Sequence, residues 1–207
     1  MKVLLVNGSP HSKGETYKAL SLVEQALQEN GIETGWFWIG NKPVRGCIDC
    51  KKCSKSSRCT FTDDVCNDLI EAMLNADGII IGSPVYFAAP SGALCALLDR
   101  VFYAASTHGG LFKGKPAAAV ASCMRSGANS TIDRINKYFA FSQMPIVSSD
   151  YWNLLFSSQS KMDRDEKGRK TMRTLGSNMA TLLQASLASH IYTNATAQNA
   201  KPGTKTY

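Results

Sequence analysis

The run Lys2-Val-Leu-Leu-Val-Asn7, apolar at each position from Val3 to Val6 and ending at Gly8, constrains the fold more than any other stretch of the chain. It does not alternate, so it has no solvent face. A strand of this kind is buried on both sides, as in a parallel sheet with helices on each face. The pattern continues downstream. Tyr17, Leu20, Val23 and Leu27 take helical spacing between Glu15 and Asn30, and Asn30-Gly31 supplies the stop. Ile32 to Ile39 reads as a second strand. Lys42 to Thr60 has no apolar period and reads as a loop. Asp63 can cap a helix to about Leu74, Gly78 to Gly82 is a third strand, and Ser91 to Tyr103 is a helix. Ala117 to Ser122 is a fourth strand, Asn129 to Phe141 a helix, Met144 to Val147 a short fifth strand, and Lys167 to His190 the last strong helix. Five strands alternating with helices predict an α/β, doubly wound parallel sheet.

With 207 residues, 44% of them hydrophobic, the chain suits one substantial core. We expect one domain over 1–192 and a polar C-terminal arm over 193–207. The net charge of +7 comes without a nucleic-acid-binding motif, so no nucleic-acid partner is expected. No run is long enough to span a bilayer, and the apolar start stops too early for a signal peptide. The expectation is a cytoplasmic protein with no membrane partner.

Ligands in doubly wound folds bind beyond the carboxyl ends of the strands. The loop after the first strand, Asn7-Gly-Ser-Pro-His-Ser-Lys-Gly-Glu-Thr16, offers turning glycines, hydroxyls and a helix N-terminus. A phosphate of about −1.5 to −2 charges needs such a set of donors. The loop after the third strand, Gly82-Ser-Pro-Val-Tyr-Phe-Ala-Ala-Pro-Ser91, offers amides near Val85 to Phe87 for the edge of an isoalloxazine ring and Tyr86 and Phe87 as a wall, or simply two core aromatics. The loop after the fourth strand, with Ser122, Arg125 and Gly127, could follow the pyrimidine edge of a flavin. Arg125 there either stabilises negative charge on a reduced flavin or is a solvated loop arginine.

Asn7-Gly-Ser-Pro-His-Ser-Lys-Gly-Glu-Thr16 and Gly82-Ser-Pro-Val-Tyr-Phe87, together with Leu98-Asp-Arg100 and Gly114-Lys-Pro116 in this order, resemble the NADPH-dependent FMN reductase and iron–sulfur flavoprotein group of the flavodoxin superfamily. The resemblance covers about residues 1 to 150. It implies a flavodoxin-like sheet of order 2-1-3-4-5, with FMN phosphate at Ser9, His11, Ser12, Gly14 and Thr16 and the ring edge at Pro84, Val85, Tyr86 and Phe87. It also implies a homodimer or homotetramer. His11 stands where arginine is common and Glu15 where asparagine is common. A carboxylate facing a phosphate would repel it, so Glu15 is expected to turn away.

Four of the seven cysteines, Cys47, Cys50, Cys53 and Cys59, lie within thirteen residues. Compact cysteine loops hold iron–sulfur clusters, and this one is similar to the motif of iron–sulfur flavoproteins. Three readings stand: a 4Fe-4S cluster on these four thiols, zinc, or a loop without metal. Lys42, Arg45, Lys51, Lys52, Lys55 and Arg58, set against Asp49 alone, are expected to favour the thiolates. Cys66, Cys95 and Cys123 read as small core residues, Trp36, Trp38 and Trp152 as core or subunit-contact residues, and His108 and His190 as surface residues.

The resulting expectation is an enzyme in which NAD(P)H passes hydride to flavin N5 and a small-molecule quinone, nitro, azo or flavin acceptor follows on the same face. No general acid or base is required, so no catalytic side chain is named. The alternative is an electron-transfer protein that works through a cluster at the cysteine loop, with an acidic redox protein docking on the basic residues.

Overall fold

The computed structural model describes residues 1–107, 109–156 and 165–199, with side chains described up to Ala188. The elements run β1 (Lys2–Asn7), α1 (Glu15–Glu29), β2 (Glu33–Trp38), a single 3-10 turn (Lys52–Lys55), α2 (Cys66–Leu74), β3 (Gly78–Pro84), α3 (Gly92–Ser106), β4 (Ala117–Cys123), α4 (Ala128–Phe141), β5 (Leu154–Phe156) and α5 (Glu166–Asn199). All strand pairs are parallel and the sheet order is β2-β1-β3-β4-β5.

The unalternating strands are explained by two cores, one on each face. Leu4 and Val6, Ile79 and Ile81, and Ala117, Ala119 and Ala121 pack with α2, α3 and α4. Their neighbours Val3, Leu5, Ile80, Ala118 and Val120 point the other way, against α1 and α5. The two helices on that second face meet closely at Gly176, where a Cβ would fall 2.6 Å from the Val23 carbonyl. The Gly-Lys-Pro sequence has a local role as well. The Lys115 ammonium donates to the carbonyls of Met73, Leu74 and Ala76 and so closes the C-terminal end of α2.

Three boundaries differ from the sequence reading. The fifth strand is Leu154–Phe156, not Met144–Val147. The latter segment touches β4 only at its start, through a bridge between Ala117 and Ile146. Pro145 has no N–H to extend that pairing. The helix after the cysteine loop begins at Cys66, whose amide is capped by Asp64 rather than Asp63. The last helix runs past His190 to Asn199; residues 200–207 of the expected arm, His108 and the His190 side chain lie outside the described residues. Among the described residues no helix is long and apolar enough to cross a membrane.

Candidate functional site

The loop after β1 is built around Asn7, which is buried. Its Oδ1 accepts from the Ser9 amide at 3.0 Å, and its Nδ2 donates to the carbonyls of His11 and Ser12 at 3.3 and 3.2 Å. The Gly8 carbonyl accepts from the Ser91 hydroxyl, and the Ser9 carbonyl from the Trp38 indole N–H at 2.8 Å. The carbonyls are thus occupied and turned into the protein. The amides are left facing outward: among the described residues, those of Ser12, Lys13, Glu15, Thr16 and Tyr17 have no acceptor, and no side chain caps α1. Outward amides at a bare helix N-terminus form an anion-binding cradle. Glu15 Oε1 pairs with Lys18 one turn on, at 2.9 Å, while Oε2 is buried without a partner among the described residues.

The loops after β3 and β4 close onto this cradle. The buried Thr16 hydroxyl hydrogen-bonds with that of Ser122 at 2.8 Å, joining the first loop to the third. The Val85 amide donates to the Ser122 carbonyl, and Tyr86 and Ala89 exchange two backbone bonds around Phe87 and Ala88. Phe87 and Ala88 are both left-handed, at φ 49° and 58°. That conformation costs a side-chain-bearing residue free energy and tends to occur at functional sites. With the Val85 and Tyr86 amides engaged, an edge donor from this turn falls to Phe87 or Ala88. Gly127, at φ 86°, lies where a Cβ would meet Ala88 Cα at 2.7 Å and Val85 Cγ1 at 2.9 Å. Only glycine lets loops two and three approach this closely.

The structure therefore brings Ser9, Gly14, Thr16, Val85, Ser122 and Gly127 together at the carboxyl ends of the strands, with Ser122 still within β4. His11, Ser12, Tyr86 and Arg125 are exposed at the rim, Pro84 is half-buried, and the Phe87 ring projects wholly into solvent. Trp38, read as a core or subunit-contact residue, is partly exposed and its indole N–H holds the loop after β1. Its distance in sequence from Ser9 concealed that role.

The cysteine loop lies after β2. Cys47, Cys50, Cys53 and Cys59 line one pocket with Ile48, Lys51, Thr60, Phe61, Arg100 and Tyr103, and no carboxylate is among the lining residues. Cys47 and Cys50 are exposed and Cys53 is buried. Among the described residues no three ligands converge as a single metal ion requires. A lone zinc ion needs all its ligands at bonding distance from one point. A cluster takes its thiolates at separate corners, and an all-thiol donor set suits it. The three residues Asp49, Lys51 and Ser57 are left-handed, which marks a tightly folded loop.

The expectation that the basic residues would favour the thiolates needs correcting at Cys53. Burial pushes its thiol up from the ordinary value, and the neighbouring Cys50, Cys59 and Cys47 add to that direction. Three of the basic residues are, besides, paired with carboxylates. Arg45 pairs with Asp63 and Arg58 with Glu71, while Lys51 approaches Asp49.

The loop is framed by residues from α2 and α3 that sequence reasoning did not assign. The Asn67 amide group donates to the carbonyls of Cys59 and Phe61 and accepts from the Cys59 amide. Arg100 pairs with buried Asp64 and donates to Cys59 Sγ at 3.3 Å. Burial opposes charge on Asp64, but the Arg100 guanidinium and the Cys66 and Arg45 amides outweigh it and hold the carboxyl below its usual range. Cys66 itself is fully buried beside Cys59, and burial raises its thiol to about 12. The Leu98-Asp-Arg100 motif was visible in the sequence; its partner Asp64, distant along the chain, was not.

Comparison with known proteins agrees with this geometry. The family described as NADPH-dependent FMN reductase matches residues 1–158. An iron-sulfur flavoprotein of Methanocaldococcus jannaschii is 31% identical over 89% of this chain and 98% of its own. An FMN reductase (NADPH) of Pseudomonas putida is 29% identical over 52% of this chain and 50% of its own. A WrbA-like flavodoxin structure from Agrobacterium tumefaciens superposes with a TM-score of 0.61 at 17% identity, covering 89% of this chain and 97% of that one, and establishes the fold as flavodoxin-like. The chain belongs to the NADPH-dependent FMN reductase family and is an oxidoreductase.

Proposed function

We propose that the protein holds FMN at the three converging loops and uses NAD(P)H to reduce a small-molecule acceptor of the quinone, nitro, azo or flavin class. The observation that carries this reading is the set of outward amides at Ser12, Lys13, Glu15, Thr16 and Tyr17, placed beside the loops that carry Phe87 and Gly127. When bound, FMN supplies hydride acceptance and delivery. The chain's own residues do the rest. The amides and the Ser9, Ser12 and Thr16 hydroxyls take the phosphate. Gly127 keeps loops two and three close enough to make a slot, and Tyr86 and Phe87 offer it an aromatic wall. Arg125 stands at the rim, where its charge can balance a ring edge that becomes negative. Exposed Phe87 and Met124 at this end suit coverage by a second copy, as a homodimer or homotetramer requires; a monomer in light scattering would remove that part.

The test is steady-state turnover of FMN-loaded protein with NADPH and NADH against menadione. We expect acceptor reduction that depends on FMN. Absence of turnover with menadione, a nitroarene, an azo dye and free FMN alike would reject the reading.

A second reading is favoured by one observation, the four thiols lining a pocket that contains no carboxylate. We infer that Cys47, Cys50, Cys53 and Cys59 hold a 4Fe-4S cluster, as the name of the archaeal relative suggests, and that electrons leave through it to an acidic redox protein. Anaerobically purified protein is then brown and contains iron and sulfide; yellow, iron-free protein after anaerobic reconstitution would exclude it.

A further inference from the structure

One buried cation reaches into the cysteine loop. Arg100 projects from α3 and is 2% exposed. Its Nε donates to Cys59 Sγ at 3.3 Å, its Nη1 to the Arg45 carbonyl at 3.1 Å and to Asp64, and its Nη2 to the Phe61 carbonyl at 3.5 Å. A guanidinium directs its donors in one rigid plane. The chain before the cysteines, at Arg45, and the chain after them, at Phe61, are therefore fixed at one distance from α3. Lys51, Lys52, Lys55 and Arg58 are exposed, and Arg58 is already paired with Glu71. Among the described residues, Cys59 is the one thiol of the four that accepts from a charged donor.

A staple needed only for stability does not require a buried ion pair, since apolar residues of similar volume commonly do as well. A donor aimed at sulfur has a further consequence. Hydrogen bonds to ligating sulfurs stabilise negative charge on a cluster and so raise its reduction potential. We infer that Arg100 is the positioning residue of the cysteine loop: it fixes Cys59 as the anchored corner and, for the cluster of the second reading on which this inference rests, raises the reduction potential.

The test uses the full chain, before and after anaerobic reconstitution with iron and sulfide, with Arg100→Lys and Asp64→Asn. Lysine keeps the charge and loses the fork; asparagine removes the nearby negative charge and keeps the fork. In iron-free protein, trypsin should cut within residues 51–58 several-fold faster in R100K than in wild type. In loaded protein, the cluster should titrate at a lower potential than wild type in R100K and at a higher one in D64N. Wild-type protein that takes up no iron overturns the cluster reading and the inference with it. A loaded R100K with unchanged potential overturns the inference and leaves the cluster in place. Shifts of the same sign in both variants mean general loosening, and they also overturn it.

Discussion

The loop after β1 and the loop after β2 both leave the carboxyl edge of the sheet, yet they are held by different means. The phosphate loop is short and its main chain is pinned by uncharged side chains: Asn7 binds the Ser9 amide and two carbonyls, and Trp38 and Ser91 bind two more. The cysteine loop is longer and mostly exposed, and it is tied to the body through side chains, above all the Arg100–Asp64 pair and Asn67. A loop pinned by uncharged hydrogen bonds is ready for a ligand before the ligand arrives. A loop tied through an ion pair as well depends on the charge of that pair, and it can respond to whatever its thiols hold.

The cysteine loop should be the more fragile of the two. Arg100→Met leaves Asp64 buried without a counter-charge, which should cost about 3–5 kcal/mol in denaturant unfolding. A loss near zero would mean that the pair does not carry the loop. Next comes Gly127→Ala, which acts on the first site. The added methyl meets Ala88 and Val85 at a left-handed position, so we expect roughly 1–3 kcal/mol of destabilisation and weaker FMN binding. Unchanged melting and unchanged FMN titration would show that loops two and three separate without consequence. Thr16→Val removes the hydroxyl shared with Ser122 and should cost about 1 kcal/mol, with a several-fold weaker FMN affinity by fluorescence titration. An unaltered affinity removes the Thr16 hydroxyl from the site.

The smallest effect sharpens the comparison through pH. The Asp64 carboxyl is lowered in the folded protein, so it contributes stability that is complete above the ordinary carboxylate pKa of about 3.9 and is lost as pH falls through the folded value. Protease sensitivity of the cysteine loop should therefore rise only below about pH 4, before the phosphate loop loosens. Simultaneous loss of both would contradict the separate means of attachment.

The contrast also explains what could be read in advance. The alternating cores and the phosphate loop follow from contiguous runs such as Lys2–Asn7 and Asn7–Thr16, in which pattern and geometry are local. The fifth strand was misplaced because Leu154–Phe156 is only three residues long, while Met144–Val147 looks equally apolar. The frame of the cysteine loop was hidden because Arg100, Asp64, Asn67 and Cys59 meet only in the fold. The raised Cys53 thiol escapes the sequence for the same reason, since its burial arises only in the fold.

The outward amides after β1 should select a phosphate-bearing flavin. Equilibrium titration of apoprotein with FMN and with riboflavin, which differ in the phosphate, tests it most directly. We expect one FMN per chain and an affinity for riboflavin weaker by on the order of 100-fold, since even two charge-assisted hydrogen bonds contribute about 3 kcal/mol. Equal affinity for the two flavins would contradict the claim.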